Sequence, residues 1–199
     1  MSTADFARLL AAAQDGDETA FTTLFRAVQP ALLRYLTTMT RNLADGTADD
    51  VAAETWLQVV RGLRRFRGDE VGFRSWVFTI ARARLVDARR RAGRLPVPYD
   101  MDELLAEVAG GTDVGQTVEA MISTEAALAT IRMLPASQAE VVLLRYVAGF
   151  DVEHTARLVG KRSGAVRVTA HRALRRLEEL MGGPVQGRDV TPLGVRTVR

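Results

Sequence analysis

Asp151 to Leu177 reads DVEHTARLVGKRSGAVRVTAHRALRRL, two amphipathic segments hinged on Gly160. Asp151 is placed to cap a short helix with Val152, Ala156 and Val159 facing inward. Ser163 is placed to cap a longer one with Val166, Ala170, Ala173, Leu174 and Leu177 inward. The pair reads as a helix-turn-helix. Arg167, Val168, His171, Arg172 and Arg175 fall on the outer face of the second helix, where long hydrogen-bond donors fit a DNA major groove. A glycine turn between two helices also describes a purely structural hairpin; the excess of arginine is what points to DNA.

Outward from this segment, apolar residues keep helical spacing almost everywhere and alternating runs are scarce, so the expected fold is all-α. Upstream, Leu134-Pro135 precedes a helix whose stripe is Ala139, Val142, Leu143, Tyr146 and Val147, ended by Gly149, and helical spacing also spans Val118 to Met133. Near the amino terminus Ser2 or Thr3 caps a helix with Phe6, Leu9, Leu10 and Ala13 inward, stopped by Asp15-Gly16. Asp17 caps the next, whose stripe is Phe21, Leu24, Phe25, Val28, Leu32 and Leu36. Pro30 is expected to kink or restart it. After an Asp45-Gly46 turn, Thr47 caps a third helix with Trp56, Val59, Val60 and Leu63 inward and Asp50, Glu54, Gln58 and Arg61 outward. A loop from Gly62 to Gly72 sets Phe66 among Arg64, Arg65 and Arg67, and a fourth helix carries Phe73, Trp76, Val77 and Ile80 on one face. Aromatic rings among guanidinium groups suit single-stranded nucleic acid, although Phe66 and Trp76 equally suit the core beneath the loop.

The 199 residues include no cysteine, which removes disulfides, thiolate metal sites and cysteine nucleophiles together. The two histidines, His154 and His171, leave little for a metal site, so neither metal nor cofactor is expected. No apolar run approaches the ~18 residues of a membrane span, and the first ten residues lack a signal's basic start. A cytoplasmic protein with no membrane insertion and no small-molecule substrate is the expectation. The net charge of +3 conceals sorting: −4 over residues 1–60, +8 over 61–94, seven acids without a base over 95–126, −1 over 127–156 and +7 over 157–176. Two cationic blocks separated by an acidic one suggest two contacts with a polyanion. Solvated helix faces are the plainer reading of such runs.

The Pro- and Gly-bearing stretch from Arg94 to Gly115, with at most a short helix at Met101 to Val108, marks a domain boundary. The expected organisation is two helical domains, 1–94 and 118–181, joined by a flexible acidic linker, 95–117, with a tail, 182–199, that is either disordered or regulatory.

Ordered motifs in both halves resemble the extracytoplasmic-function (group 4) sigma factors of bacterial RNA polymerase. The first half has Gly16-Asp-Glu-Thr-Ala-Phe21, Asp49-Asp-Val-Ala-Ala-Glu-Thr-Trp56, Phe66-Arg-Gly68 and Phe73-Arg-Ser-Trp-Val-Phe-Thr-Ile-Ala-Arg82 with Asp87-Ala-Arg-Arg-Arg91, and looks like a sigma-2 domain. The second half has Leu134-Pro135, Gln138, Glu140-Val141, Leu144-Arg-Tyr146, Gly149, Gly164-Ala-Val-Arg167 and His171-Arg-Ala-Leu174, and looks like sigma-4. The resemblance implies a factor that binds core RNA polymerase and promoter DNA and is held inactive by an anti-sigma partner. By the same resemblance Asp49, Asp50, Glu54, Gln58 and Arg61 dock on the polymerase, though such a stripe is also what a solvated face looks like. The minus-ten element falls to Arg64, Arg65, Phe66, Arg67, Phe73, Trp76, Arg82, Arg84, Arg89, Arg90 and Arg91. The minus-thirty-five element falls to Lys161, Arg162, Ser163, Arg167, Val168, His171, Arg172 and Arg175.

Ala83 stands where the family commonly has an asparagine able to bond an extruded base, so Arg82 or Arg84 would have to substitute unless it pairs with Asp87. The acidic linker either mimics nucleic acid in a basic channel or extends a soluble tether. Two other functions fit parts of the pattern. A helix-turn-helix regulator with an amino-terminal sensing domain would bind duplex operator alone. A hydrolase using Asp49, Asp50 and Glu54 would need a nucleophile, phosphate loop or metal cluster that the sequence lacks.

Overall fold

The computed structural model describes residues 2–93 and 125–181, and every regular element among these is a helix or helical turn. The expected linker, its short Met101 to Val108 helix, the start of the Val118 to Met133 helix and the tail lie outside the described residues. Four helices form the amino-terminal half: α1 (Thr3–Asp15), α2 (Glu18–Met39), α3 (Thr47–Gly62) and α4 (Glu70–Arg91). The other half contains α5 (Glu125–Ile131), α6 (Ala136–Val142), α7 (Val152–Val159) and α8 (Ser163–Leu180).

Local chemistry sets most boundaries. The Ser2 hydroxyl accepts from the Asp5 amide, and Asp17 accepts from the amides of Thr19 and Ala20. Helix α2 passes through Pro30 uninterrupted. Pro30 and Arg26, whose carbonyl loses its helical donor to the proline, are both exposed, so water can serve that carbonyl and the helix need not restart. Two capping expectations are corrected. Gly46 precedes α3 in a left-handed conformation while the Thr47 hydroxyl turns back to donate to the Ala44 carbonyl at 2.6 Å. Arg162 occupies the cap of α8 with extended backbone, leaving Ser163 as the first helical residue. The loop before α4 is shorter than expected. Leu63–Arg65 form a 3-10 turn, and Asp69 starts α4 at Glu70 by accepting from the Gly72 amide at 2.7 Å.

Beyond α6 the chain widens into a π turn, Leu143–Val147, closed by the Ala148 amide on the Leu143 carbonyl at 2.8 Å. The extra residue leaves Tyr146 and Val147 only half-buried, short of the fully inward positions expected. Gly160, at φ +72°, makes the turn between α7 and α8, a conformation that costs most side chains strain.

Helix α2 is the axis of the molecule. Leu24, Val28, Leu32, Tyr35 and Leu36 are buried against α1, α3 and α4, and its second half also meets α5, α6 and the π turn. The core is therefore continuous between the halves. Phe78 of α4 meets Phe150 edge-on at 5.3 Å, and Phe150 is 2% exposed. Leu32 is fully buried in this axis. Leu32→Ala should lower unfolding free energy by ~2–5 kcal/mol, measured by urea titration of helical circular dichroism.

Candidate polymerase and nucleic-acid interfaces

Three surfaces collect the residues singled out by the sequence. On α3, Asp49, Asp50, Gln58 and Arg61 are exposed and Glu54 is half-buried. Glu54 pairs with Arg91 of α4 at 3.4 Å, both side chains well hydrated, so the contact contributes little to stability. Val60 does not point inward as expected. Val59 takes the buried seam, and Val60, rotated about 100° from it, is 54% exposed. Leu57, which the periodicity did not single out, is 58% exposed one turn earlier. The acidic stripe thus flanks an apolar ridge, beside a shallow groove lined by Leu43, Val51, Glu54, Leu57, Ala88 and Arg91.

The second surface joins the 66–69 loop to α4. The Gln14 side-chain amide donates to the carbonyls of Leu63 and Phe66, both at 2.9 Å, fixing the loop against α1. The Arg67 guanidinium donates to the carbonyls of Arg64 and Phe66, which folds it along the loop. Phe66 and Trp76 are both half-buried and stack at 5.0 Å between centroids with planes 21° apart. They close the core beneath the loop and are still partly accessible to solvent. Phe73 is different: at 1% exposure it packs between Phe6, Phe66 and Trp76 and cannot meet a strand from outside. Its expected nucleic-acid contact is therefore corrected to a supporting role beneath the stacked pair.

The arginines of α4 divide by partner. Arg64 and Arg65 of the 3-10 turn and Arg90 near the helix end project into solvent. Arg89 donates to the Met39 carbonyl at 2.9 Å, tying α4 to α2. Arg84 pairs with Asp87 at 3.5 Å as surface spacing suggested, while Arg82 instead meets Glu140 of α6, its Nε 2.9 Å from the carboxylate. Arg74, another residue the pattern missed, lies 5.3 Å over the Phe150 ring, and burial pulls its pKa down. Ala83 is exposed between these groups.

The third surface is α8. Arg167, His171, Arg172 and Arg175 are exposed and Val168 is half-buried, in two adjacent columns at four-residue spacing. Arg176, one turn beyond Arg172, extends the same face and was legible from that spacing. Arg162 is exposed at the leading end, whereas Lys161 and Ser163 are half-buried, and burial pulls the Lys161 ammonium pKa down. Opposite, Val166, Ala170, Ala173 and Leu177 bury the helix against its own half. The Asp151 cap accepts from the backbone and ring nitrogens of His154, which hold its carboxyl below the ordinary range.

Two family sequence models match, in the order of the two halves: Sigma-70 region 2 over residues 24–95 and Sigma-70, region 4 over residues 124–177. The ECF RNA polymerase sigma factor SigD of Mycobacterium tuberculosis is 32% identical over 173 residues, covering 86% of this chain and 81% of the relative. The ECF sigma factor ShbA of Streptomyces griseus is 34% identical over 179 residues, covering 84% and 91%. The chain belongs to the ECF sigma factors of the sigma-70 family. The fold agrees: CnrH, solved with the cytosolic domain of CnrY, superposes with a TM-score of 0.58 at 21% identity, covering 88% of this chain and 96% of that one. The sigma factor RpoE, solved with the anti-sigma factor NepR from Bartonella quintana, gives 0.58 at 24% identity, covering 81% and 96%.

Sigma factors direct polymerase to promoters, and this ECF sigma factor is accordingly a DNA-binding transcription initiation factor rather than an operator-bound regulator. No helix among its described residues is long and apolar enough to cross a membrane, and no cluster of three metal-binding side chains occurs among them.

The Trp76 ring leaves no space above Gly62, where an added Cβ would lie 2.8 Å from the indole. Gly62→Ala should displace the indole, shifting intrinsic fluorescence to longer wavelength and lowering stability by ~1–3 kcal/mol in urea.

Proposed function

We propose that residues 1–94 bind core polymerase and open the minus-ten element while residues 118–181 read the minus-thirty-five element, with 95–117 connecting them and 182–199 following as a tail. The observation that carries this reading is the exposed arginine face of α8 in the same chain as the arginine-rich loop and α4, each in a half matched by the corresponding sigma region.

Core polymerase docks on Asp49, Asp50, Glu54, Gln58 and Arg61. Exposed Leu57 and Val60 supply the apolar centre of that contact and the charges its rim, the usual division in a protein interface. At the minus-ten element Arg64, Arg65, Arg67 and the hydrated Arg90 and Arg91 hold phosphates, and Phe66 and Trp76 receive an unstacked base at their ring edges. Arg84 is placed to serve beside Ala83, because its hydrated pair with Asp87 is easily exchanged for a nucleic-acid contact. Arg89 acts by fixing α4 to α2. At the minus-thirty-five element Arg167, Val168, His171, Arg172 and Arg175 face the groove, and Lys161, Arg162 and Ser163 meet the backbone at the leading end of α8.

The partners place this activity in the cytoplasm, with core polymerase and promoter DNA. An anti-sigma protein is a further partner, since the similar folds of CnrH and RpoE were each solved with a bound protein, for RpoE an anti-sigma factor.

Purified core enzyme plus this chain should yield discrete run-off transcripts from fragmented genomic DNA, and core enzyme alone should not. Replacing Asp50 and Glu54 by lysine should reduce co-purification with core enzyme at least tenfold while circular dichroism stays unchanged. Arg172→Ala should cost ~1–3 kcal/mol of promoter discrimination, read from competition between cognate and scrambled minus-thirty-five sequences.

A further inference from the structure

Glu140 is a charged side chain set within the apolar run of α6, between Ala139 and Val141. It is 6% exposed, and one carboxylate oxygen accepts from the Tyr35 hydroxyl of α2 at 3.0 Å and from the Arg82 Nε of α4 at 2.9 Å. These contacts join the region-4 half to the region-2 half. The same seam holds Phe150, edge-on to Phe78 and covered by Arg74, and the Arg41 guanidinium donates to the Leu134 carbonyl at 3.2 Å. Gly149, at φ +68°, lies so close that an added Cβ would be 3.1 Å from an Arg74 nitrogen. Burial and the neighbouring Glu140 carboxylate raise the Tyr35 pKa well above its ordinary value, so the phenol remains a donor.

We propose that Glu140 is an internal competitor for the minus-ten surface: its carboxylate occupies Arg82 in place of a nucleic-acid phosphate while Phe150 packs on Phe78 and Arg74, so the free chain is closed and opens when core polymerase binds. The inference rests on the promoter-reading role proposed above for α4 and adds Arg82 to the residues that meet the strand once the seam opens. The chemistry suits a reversible latch. Arg82 keeps 29% of its side-chain surface exposed, so water or phosphate can replace Glu140 without stranding a buried guanidinium. The carboxylate itself is almost wholly buried and needs both donors while the seam is shut. A partner that docks on α3 and separates the halves returns it to water. Closure and strand binding by Arg82 are then mutually exclusive, and anything that weakens Glu140 shifts the population toward the open form.

The absence of cysteine allows donor and acceptor dyes to be placed specifically on Ala7→Cys and Glu179→Cys in the full chain. Single-molecule energy transfer should show one closed population that core enzyme shifts to lower transfer. Glu140→Gln, which keeps an acceptor for Tyr35 but loses the charge, should raise the open-to-closed ratio at least tenfold without core enzyme, and Tyr35→Phe should raise it severalfold. A fluorescent twenty-nucleotide single strand should bind Glu140→Gln at least threefold more tightly than the unmodified chain. Unchanged transfer in both variants, with circular dichroism showing them folded, would overturn the latch, as would equal strand binding. Should either variant unfold, failure of core enzyme to shift the transfer of the unmodified chain overturns it equally. Run-off transcription by the unmodified chain tests the promoter-reading role separately: absent transcripts count against that role, whereas unchanged transfer counts against the latch.

Discussion

Helix α2 is asked to be apolar on more than one side, and the rest of the structure follows from that demand. Phe21 and Phe25 lean on Trp56 of α3, whose indole N–H is satisfied by Gln29 of α2 at 2.6 Å. Leu32 and Leu36 fill the centre, and Tyr35 carries a hydroxyl to the boundary with α6. A helix with one apolar stripe would have closed a small bundle and stopped. The second buried side lets two halves, each with its own nucleic-acid face, share a continuous interior. Burial there is also why the seam must be polar at Tyr35, Arg82 and Glu140: a carboxylate taken from water has to find donors on both neighbouring helices.

Charge is organised against that frame. Arginines on α8 stand away from the core because the inner face of that helix is taken by small and branched apolar residues. Those on α4 are more constrained, since its buried face is wide and includes Phe73, Val77, Phe78, Ala81, Leu85 and Ala88. Arginines at its margins therefore acquire protein partners: a carbonyl for Arg89, carboxylates for Arg82, Arg84 and Arg91, and a ring for Arg74. One helix consequently serves as core element and cationic surface, and its availability to a ligand depends on what covers it.

The course of the helices was legible because caps and apolar spacing act over a few residues. The start of α2 at Asp17 and the stripe of α8 followed directly. The misreadings are also local in origin. Thr47 and Ser163 are good capping types placed one residue inside the helix, where the preceding residue takes the cap conformation. Val60 follows the true seam residue Val59, and a two-residue apolar run does not say which member faces in. The π turn after α6 shifts the phase of Tyr146 and Val147, because an added backbone residue per turn leaves no compositional mark. Phe73 carried a signal for both core and ligand, and only the packing of Phe6 and Trp76 around it made it core.

By itself the amino-acid sequence determined an all-helical chain, a helix-turn-helix with an outward basic face and a second arginine-rich helix beside an aromatic loop, because each is encoded by residues within two or three turns of one another. The tertiary structure alone decided that Glu140 would face Tyr35, 105 residues away, and Arg82, 58 residues away. Periodicity marks which side of a helix avoids water. It carries no label for which other helix will cover that side, and that choice is made by the joint packing of many similar stripes.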